Sequence, residues 1–304
     1  CNFKCRMCYH DLSSEWYDDA IKLSDKVDNL MKPSQKILKI NDKSKFWNEL
    51  ENHYNYVESI YFAGGEPFIN EHHFKILQDL VDRKLSKDIK LTVNTNLSTT
   101  TFKKRPVLDY YKHFNHVVFG FSIDGSYDIG EYIRSGLDYL QWKTNVKEFV
   151  DYIRYRNTMD ITYVFQFAYG VTNFHNICDF ILDLAKDGLT MDEHCKFNFQ
   201  PIMNPIEQSV ISLPPAVFTK FKKDYSNLIL KLESMGFTEH FIEPLNTQFN
   251  SIVSFVESNP FDKSHLNTFY NNQIELDKIR GESIFNILPD YRNLPITQDG
   301  KFLI

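Results

Sequence analysis

The chain has 304 residues, 34 Lys and Arg against 40 Asp and Glu, and a formal charge of −6. Aromatic residues make up 15% of it, so it has ample surface to bury, which excludes a disordered or low-complexity chain. Its mild acidity makes nucleic acid a poor partner, and no apolar run approaches the roughly 18 residues that cross a bilayer, so we expect a cytoplasmic protein without a membrane partner.

Three of the five cysteines crowd the N-terminus in the spacing C-x3-C-x2-C, at Cys1, Cys5 and Cys8. A disulfide scaffold would spread an even set of cysteines along a short secreted chain, so this spacing indicates a metal site. Three thiolates can hold a cubane iron–sulfur cluster and leave one iron with open coordination positions. The alternatives are a zinc site with His10 as fourth ligand and a plain electron-transfer cluster. Because the first residue is not Met, we expect a fragment without its natural start.

Hydrophobic periodicity then predicts strands alternating with helices. The strands are expected at residues 57–63, 89–96, 117–124, 161–169 and 196–202. Helices are expected after a cap at Asn70, near 106–114, over 131–155, and from Asn173 to Gly188. Strands separated by helices of ten or more residues imply right-handed βαβ units and a parallel sheet.

The predicted strands carry bulky side chains on one face and mostly small or polar ones on the other. The second face holds Thr92, Asn94, Asn96, Val118, Gly120, Ser122, Asp124, Thr162, Val164, Gln166, Ala168, Lys196, Asn198 and Gln200. A flat sheet covered by helices on both faces would be apolar throughout. We therefore expect a curved sheet whose polar face surrounds a ligand cavity; the alternative is an ordinary half-solvated sheet.

The remainder of the chain predicts helices and no motif. One helix starts at Pro214-Pro215 and ends at Gly236, and two more are expected over 241–257, with Pro244 as a candidate kink, and 263–280. We expect Cys178 and Cys195 in or near the core. The pairs His72-His73 and Lys103-Lys104 are expected at the surface.

Three of these features together resemble the radical S-adenosylmethionine (SAM) superfamily. They are the C-x3-C-x2-C loop, a strand ending in GGEP at 64–67, and the strand FSIDG at 121–125, in matching order and spacing. The sequence is most similar to the SPASM and twitch-related branch, for which CRMC, GGEP, SIDG and the segment PIMNPIEQSVISLP at 201–214 are typical. The resemblance implies an α/β fold, a partial (β/α)6 TIM-like barrel. Its first strand would precede Cys1, its core would span 1–205, and a helical region over 206–304 would close it.

The resemblance also implies the chemistry. Cys1, Cys5 and Cys8 would hold one [4Fe–4S] cluster, whose open iron would chelate SAM. Reductive cleavage of SAM would give a 5′-deoxyadenosyl radical that abstracts a substrate hydrogen, which makes the protein an oxidoreductase. The electron would come from a donor such as flavodoxin or ferredoxin, and the substrate would be a peptide or protein by analogy with that branch. Cys178 and Cys195 are too few for an auxiliary cluster.

Ten residues would bind SAM by the same resemblance: Gly64, Gly65, Glu66, Pro67, Asn94, Asn96, Ser122, Asp124, Arg134 and Gln166. The GGEP turn would meet the amino group, Arg134 the carboxylate, and the two asparagines the ribose hydroxyls. Asp124 could instead cap the following turn, and Arg134 could be a solvated surface residue. Lys196, Asn198 and Gln200 are candidate substrate contacts.

One departure concerns the residue before the third cysteine, which is commonly aromatic in this superfamily. Here it is Met7, and Tyr9 could supply an aromatic ring nearby. Two other classes of protein remain open from the residues alone. One is a non-catalytic relative that binds a cluster or zinc, and the other is an electron-transfer module that does not use SAM.

Overall fold

A computed structural model describes residues 1–8, 10–27, 32–33, 45–156, 160–190 and 193–289. Tyr9, the candidate aromatic residue beside the cysteine loop, lies outside these ranges. In the described part, none of the helices combines the length and the apolar character needed to cross a membrane.

The centre of the fold is a five-stranded parallel sheet, as predicted. Its strands are β1 (Ser59–Phe62), β2 (Lys90–Thr95), β3 (His116–Ser122), β4 (Ile161–Tyr169) and β5 (Cys195–Pro201). They lie side by side in chain order and every neighbouring pair is parallel. Because the strands lie in chain order, each connection moves one strand further along the sheet in the same direction. This is the arrangement expected of successive βαβ units.

Helices connect the strands and form the C-terminal region. They are α1 (Tyr17–Ser24), α2 (Lys45–His53), α3 (Glu71–Asp82), α4 (Leu108–Tyr111), α5 (Tyr127–Ile133), α6 (Tyr139–Arg156), α7 (Ile177–Lys186), α8 (Pro215–Ser234), α9 (Glu239–Ser258), α10 (Lys263–Arg280) and α11 (Ile284–Ile287). Asn70 caps α3 as predicted, because its Oδ1 accepts a hydrogen bond from the His72 amide at 3.0 Å. Pro244 lies inside α9 and does not end it.

The helix predicted over 131–155 is wrong in one respect, because the structure divides it into α5 and α6. Arg134 and Ser135 leave the helix and pair antiparallel with Cys5 and Lys4. Gly136 follows with φ of +108°, a conformation that side chains other than glycine's rarely adopt. Helical periodicity over 131–155 also predicts Leu140 on the apolar face of this helix, but Leu140 is 63% exposed.

The two faces predicted for the strands differ in burial. On β3, Val117, Phe119 and Phe121 are at most 1% exposed, whereas Val118 and Ser122 are half-buried. On β4 the alternation is complete, with every second residue from Ile161 buried. The bulky face therefore packs under the helices, and we call the opposite, half-exposed face of β2–β5 the polar face.

The C-terminal helices extend from the far edge of the sheet back to the N-terminus. Helix α9 covers the edge strand β5, where Gln248 Oε1 accepts a hydrogen bond from the Phe199 amide at 3.1 Å. A cavity of about 500 Å3 lies between these two elements, beside the sheet, and Lys196 lines it. Helix α10 packs on α1, where Leu276 joins Trp16 in a small apolar cluster.

The expectation that His73 lies at the surface is wrong. It is 3% exposed and shares the inner face of α3 with Phe74 and Leu77. Its Nε2 is 2.6 Å from the Tyr111 hydroxyl. Burial lowers the pKa of His73 to about 3, because a charged imidazole would lose its hydration.

This depressed pKa predicts a loss of stability in acid. The unfolded chain takes up a proton at His73 near pH 6.5 and the folded chain only near pH 3. Stability should therefore fall by about 1.4 kcal/mol per pH unit below pH 6.5. His73→Gln should flatten this dependence in urea unfolding at pH 7 and pH 5, while His72→Gln should keep it. An unchanged slope in His73→Gln would contradict the assignment.

Candidate active site

The cysteine loop is anchored by backbone contacts to the segment after α5. Cys5 pairs with Arg134 across the short antiparallel bridge, and the Arg6 amide donates to the Ile133 carbonyl at 2.7 Å. The Cys8 amide donates to the Cys5 carbonyl at 3.0 Å and closes a turn. These bonds hold Cys5 and Cys8 near the C-terminal end of β3.

The Cys5 and Cys8 thiols are close enough to change each other's ionisation. The Cys5 thiol lowers the pKa of Cys8 to about 7 despite burial, and the Arg134 guanidinium acts in the same direction. The interaction with Cys8, together with burial, raises the pKa of Cys5 well above its ordinary value. Of the two, Cys8 therefore loses its proton more readily, and a thiolate is the form that binds metal.

Cys1 lies beside the turns that follow β1 and β2. Its Sγ is 3.9 Å from Asn96 Nδ2, and its backbone nitrogen would lie 3.7 Å from a Cβ at Gly65. Within the described ranges, no three cysteine, histidine or acidic side chains converge as a ready set of metal ligands. Cys1 is therefore near the site but not gathered with Cys5 and Cys8.

The donor set nevertheless fits an iron–sulfur cluster. Three soft thiols in C-x3-C-x2-C spacing, with a guanidinium beside two of them, suit a cluster that keeps one iron open. A structural zinc site needs four ligands. His10, the candidate fourth ligand, instead has its Nε2 3.2 Å from Asp11 Oδ1.

The GGEP turn has the conformation that its glycines permit. Gly64 and Gly65 have φ of +79° and +58°, and both are exposed. Glu66 is 4% exposed, and its carboxylate accepts hydrogen bonds from the Phe68 amide at 3.1 Å, the Thr95 hydroxyl at 2.5 Å and the Asn96 amide at 2.6 Å. Burial raises the pKa of Glu66, and these hydrogen bonds act against that shift.

It follows that Glu66 and Pro67 shape this turn from inside the protein. The Glu66 side chain links the turn after β1 to the end of β2, and Pro67 is buried and starts a short 3-10 turn. The exposed backbone of Gly64 and Gly65 is the part of GGEP that a ligand can reach. The sequence identified all four residues. It did not distinguish the two that shape the turn, Glu66 and Pro67, from the two glycines that a ligand can reach.

Asp124 and Arg134 form a buried ion pair. Asp124 Oδ2 and Arg134 Nε are 2.6 Å apart, with side-chain exposures of 1% and 12%, although the atoms lack the alignment of a hydrogen bond. Asp124 Oδ1 accepts from the Ala168 amide at 2.8 Å. Burial opposes the charge on Arg134, but Asp124 and Cys5 together raise its pKa. The alternative of a solvated surface Arg134 is wrong, and both Asp124 oxygens have protein partners.

The polar face brings three predicted residues together. Asn94, Gln166 and Ser122 lie on neighbouring strands, and Ser122 is opposite Gln166 in register. Between them lies Gly120, where a Cβ would come within 2.2 Å of Asn94 Oδ1 and 3.3 Å of Gln166 Cγ. Glycine therefore makes room for both amide side chains, and Asn94 Oδ1 is buried without a hydrogen-bond partner among the residues that the structure describes.

Hydrogen bonds extend this arrangement to both edges of the sheet. Asn94 Nδ2 donates to the Tyr61 hydroxyl at 2.6 Å, and Asn198 Nδ2 donates to Gln166 Oε1 at 2.6 Å. We call Tyr61, Asn94, Gln166 and Asn198 the amide row. Sequence reasoning missed Tyr61, although the alternation of VESIYFA could have placed it on this face.

Asn96 does not belong to the amide row. It follows the end of β2 and is 5% exposed. Its Nδ2 donates to Asn2 Oδ1 at 2.8 Å, and its Oδ1 accepts from the Ser98 amide at 3.0 Å. Asn96 therefore joins the cysteine loop to the end of β2.

A sequence profile identifies the class of protein to which this fold and this site belong. The profile of the radical SAM superfamily matches residues 1–167, more than half of the 304 residues. The chain belongs to the radical SAM superfamily. Membership implies an enzyme that uses an iron–sulfur cluster and SAM.

Solved structures of SuiB from Streptococcus suis are similar to this chain. SuiB bound to the precursor peptide SuiA and SuiB bound to S-adenosylmethionine are each 12% identical to it, with TM-scores of 0.46 and 0.47. Each alignment covers 77% of this chain and 44% or 46% of SuiB, so the chain spans less than half of that protein. No curated protein matches the chain at a significant level of similarity.

Proposed function

We propose that this protein is a radical SAM enzyme of the twitch-related branch that uses one [4Fe–4S] cluster and acts on a peptide or protein. The observation that carries the proposal is that the cysteine loop lies where the first three strands of the sheet end. Cys1 adjoins Gly65 and Asn96, and Cys5 adjoins Arg134, the partner of Asp124. Ligands of parallel sheets bind at these strand ends.

In this proposal, Cys1, Cys5 and Cys8 would hold the cluster, and the GGEP turn and the polar face would contact SAM. When bound, these cofactors supply a 5′-deoxyadenosyl radical that takes a hydrogen atom from the substrate. The exposed carbonyls of Gly64 and Gly65 suit an ammonium group. Asn94, Ser122 and Gln166 offer polar contacts on the same side of the sheet. Asn96 and Asp124 act by holding the loops around the site.

Arg134 has a more restricted role than the carboxylate contact expected from sequence. Its Nε already faces Asp124, so only the terminal nitrogens of the guanidinium remain for the SAM carboxylate. Its positive charge beside Cys5 and Cys8 favours their thiolates, and the same charge would favour an anionic cluster.

The amide row supports a peptide or protein substrate. Primary amides donate and accept hydrogen bonds as peptide groups do, and Asn94 Oδ1 has no partner within the described protein. Lys196 and Gln200 are exposed on the same strand as Asn198. These residues suit the backbone of an extended chain. An electron donor such as flavodoxin or ferredoxin completes the reaction.

Anaerobic reconstitution tests the proposal. We expect about four irons per chain and formation of 5′-deoxyadenosine from SAM after chemical reduction. Iron without SAM cleavage would indicate an electron-transfer module, and firmly bound zinc would indicate a non-catalytic relative. Either result would contradict the proposed function.

A further inference from the structure

Arg6 lies inside the cysteine loop, between Cys5 and Cys8, yet it is only 3% exposed. Its guanidinium donates hydrogen bonds to three groups: the Tyr132 carbonyl at 3.0 Å, Gln273 Oε1 at 2.7 Å and Asp277 Oδ1 at 2.6 Å. It also pairs with Glu282 and lies 3.6 Å from the centre of the Tyr132 ring. Gln273 and Asp277 belong to α10, so a C-terminal helix holds the cysteine loop directly.

Both carboxylate oxygens of Asp277 accept hydrogen bonds. It is 5% exposed. Besides Arg6, its Oδ1 accepts from the Tyr132 hydroxyl at 2.9 Å, and its Oδ2 accepts from the Ile284 amide at 2.6 Å. A buried carboxylate with several donors, one of them a guanidinium, keeps a fixed geometry, unlike an exposed ion pair.

A second route connects α10 to Cys5. Arg280 Nε donates to Asp19 Oδ2 at 2.9 Å, and the Arg280 guanidinium lies 4.6 Å from the centre of the Trp16 ring. Trp16 Nε1 in turn donates to the Cys5 carbonyl at 2.6 Å. Helix α10 therefore contacts the Arg6 side chain directly and reaches the Cys5 carbonyl through Trp16.

We propose that α10 positions the metal-binding cysteines, with Arg6 and Asp277 as positioning residues that hold Cys5 and Cys8 in place for the iron–sulfur cluster. This proposal rests on the proposed function only in naming the metal. Arg6 follows Cys5 directly and is two residues from Cys8, so holding its side chain in place restricts the backbone segment that carries both thiols. Residues that orient metal ligands typically change metal affinity about 10- to 100-fold when they are replaced.

Asp277→Asn is the test variant, because asparagine has one acceptor oxygen where the aspartate uses two. Glu275→Gln is the matched control: it makes the same charge change on the same helix, but Glu275 pairs with Lys26 and Lys278 at the surface. In reconstituted protein, we expect Asp277→Asn to lose iron to a chelator about 10- to 100-fold faster than wild type. Glu275→Gln should lose iron at the wild-type rate.

The second measurement uses the iron-free protein and needs no cluster. Cys5 and Cys178 are 5% and 7% exposed, so alkylation by iodoacetamide reports opening at each place. Asp277→Asn should speed the labelling of Cys5 and leave Cys178 unchanged. Arg6→Lys should do the same, because lysine keeps the charge but cannot contact Tyr132, Gln273 and Asp277 together.

Equal labelling of Cys5 in Asp277→Asn and Glu275→Gln would overturn the proposal. So would a parallel rise at Cys5 and Cys178, because that would be global unfolding. If wild-type protein bound no iron but the labelling difference persisted, the proposed function would fail while the positioning role of α10 stood. If iron bound and SAM were cleaved without any labelling difference, the proposed function would stand and the positioning role of α10 would fail.

Discussion

Replacing Cys5 with alanine is expected to abolish iron loading and SAM cleavage together. Cys5 is the most buried of the three N-terminal cysteines, and its thiol contacts that of Cys8. Two remaining thiols do not make a ligand set for a cluster that needs three. Iron per chain after anaerobic reconstitution, and 5′-deoxyadenosine after reduction, measure the two losses.

Cys178→Ala is the control for this variant. Cys178 is also a buried cysteine, but it lies on α7, so its loss removes a thiol without touching the cysteine loop. We expect wild-type iron content and cleavage from it. Cleavage retained by Cys5→Ala would show that C-x3-C-x2-C does not hold the reactive cluster.

Arg134→Leu is expected to lower the free energy of unfolding by about 3–5 kcal/mol. The substitution leaves the Asp124 carboxylate, which is 0% exposed, without its ionic partner. Its remaining donor is the Ala168 amide, which cannot replace a full positive charge. Urea unfolding at pH 7 measures the difference from wild type.

Two further variants separate the ion pair from general damage. Lys147→Leu removes one partner of an exposed pair on α6 and should cost no more than about 0.5 kcal/mol. Adding Asp124→Asn to Arg134→Leu removes the stranded charge, so part of the stability should return. If the losses in free energy of unfolding from the two substitutions simply added in the double variant, that result would contradict coupling between Asp124 and Arg134.

The sequence predicted best what depends on local periodicity. The alternation in residues 161–169 matches the bounds of β4, and the polar positions Asn94, Ser122 and Gln166 lie on one face. Both features follow from the two-residue repeat of a strand, which any short window displays. The cysteine spacing is similarly local.

What the sequence could not predict are contacts between distant residues. Helical periodicity continues through Arg134, so the break at that point becomes visible only when Cys5 is known to pair with it. Asp124 and Arg134, two residues predicted to bind SAM, form an ion pair with each other that no local pattern indicates. Arg6 was visible in CRMC, but its partner Asp277 lies 271 positions away, and no pattern within the motif identifies it.

That separation has a consequence for how the protein is made. A ribosome adds about 5–20 residues per second, so the cysteine loop would wait on the order of tens of seconds before Asp277 is even synthesised. Until then, Arg6 has neither of its α10 partners, and the nascent loop cannot adopt its final form. Maturation of the proposed metal centre is thereby tied to the synthesis of α10, and a chain that stopped before α10 would carry all three thiols without the contacts that arrange them.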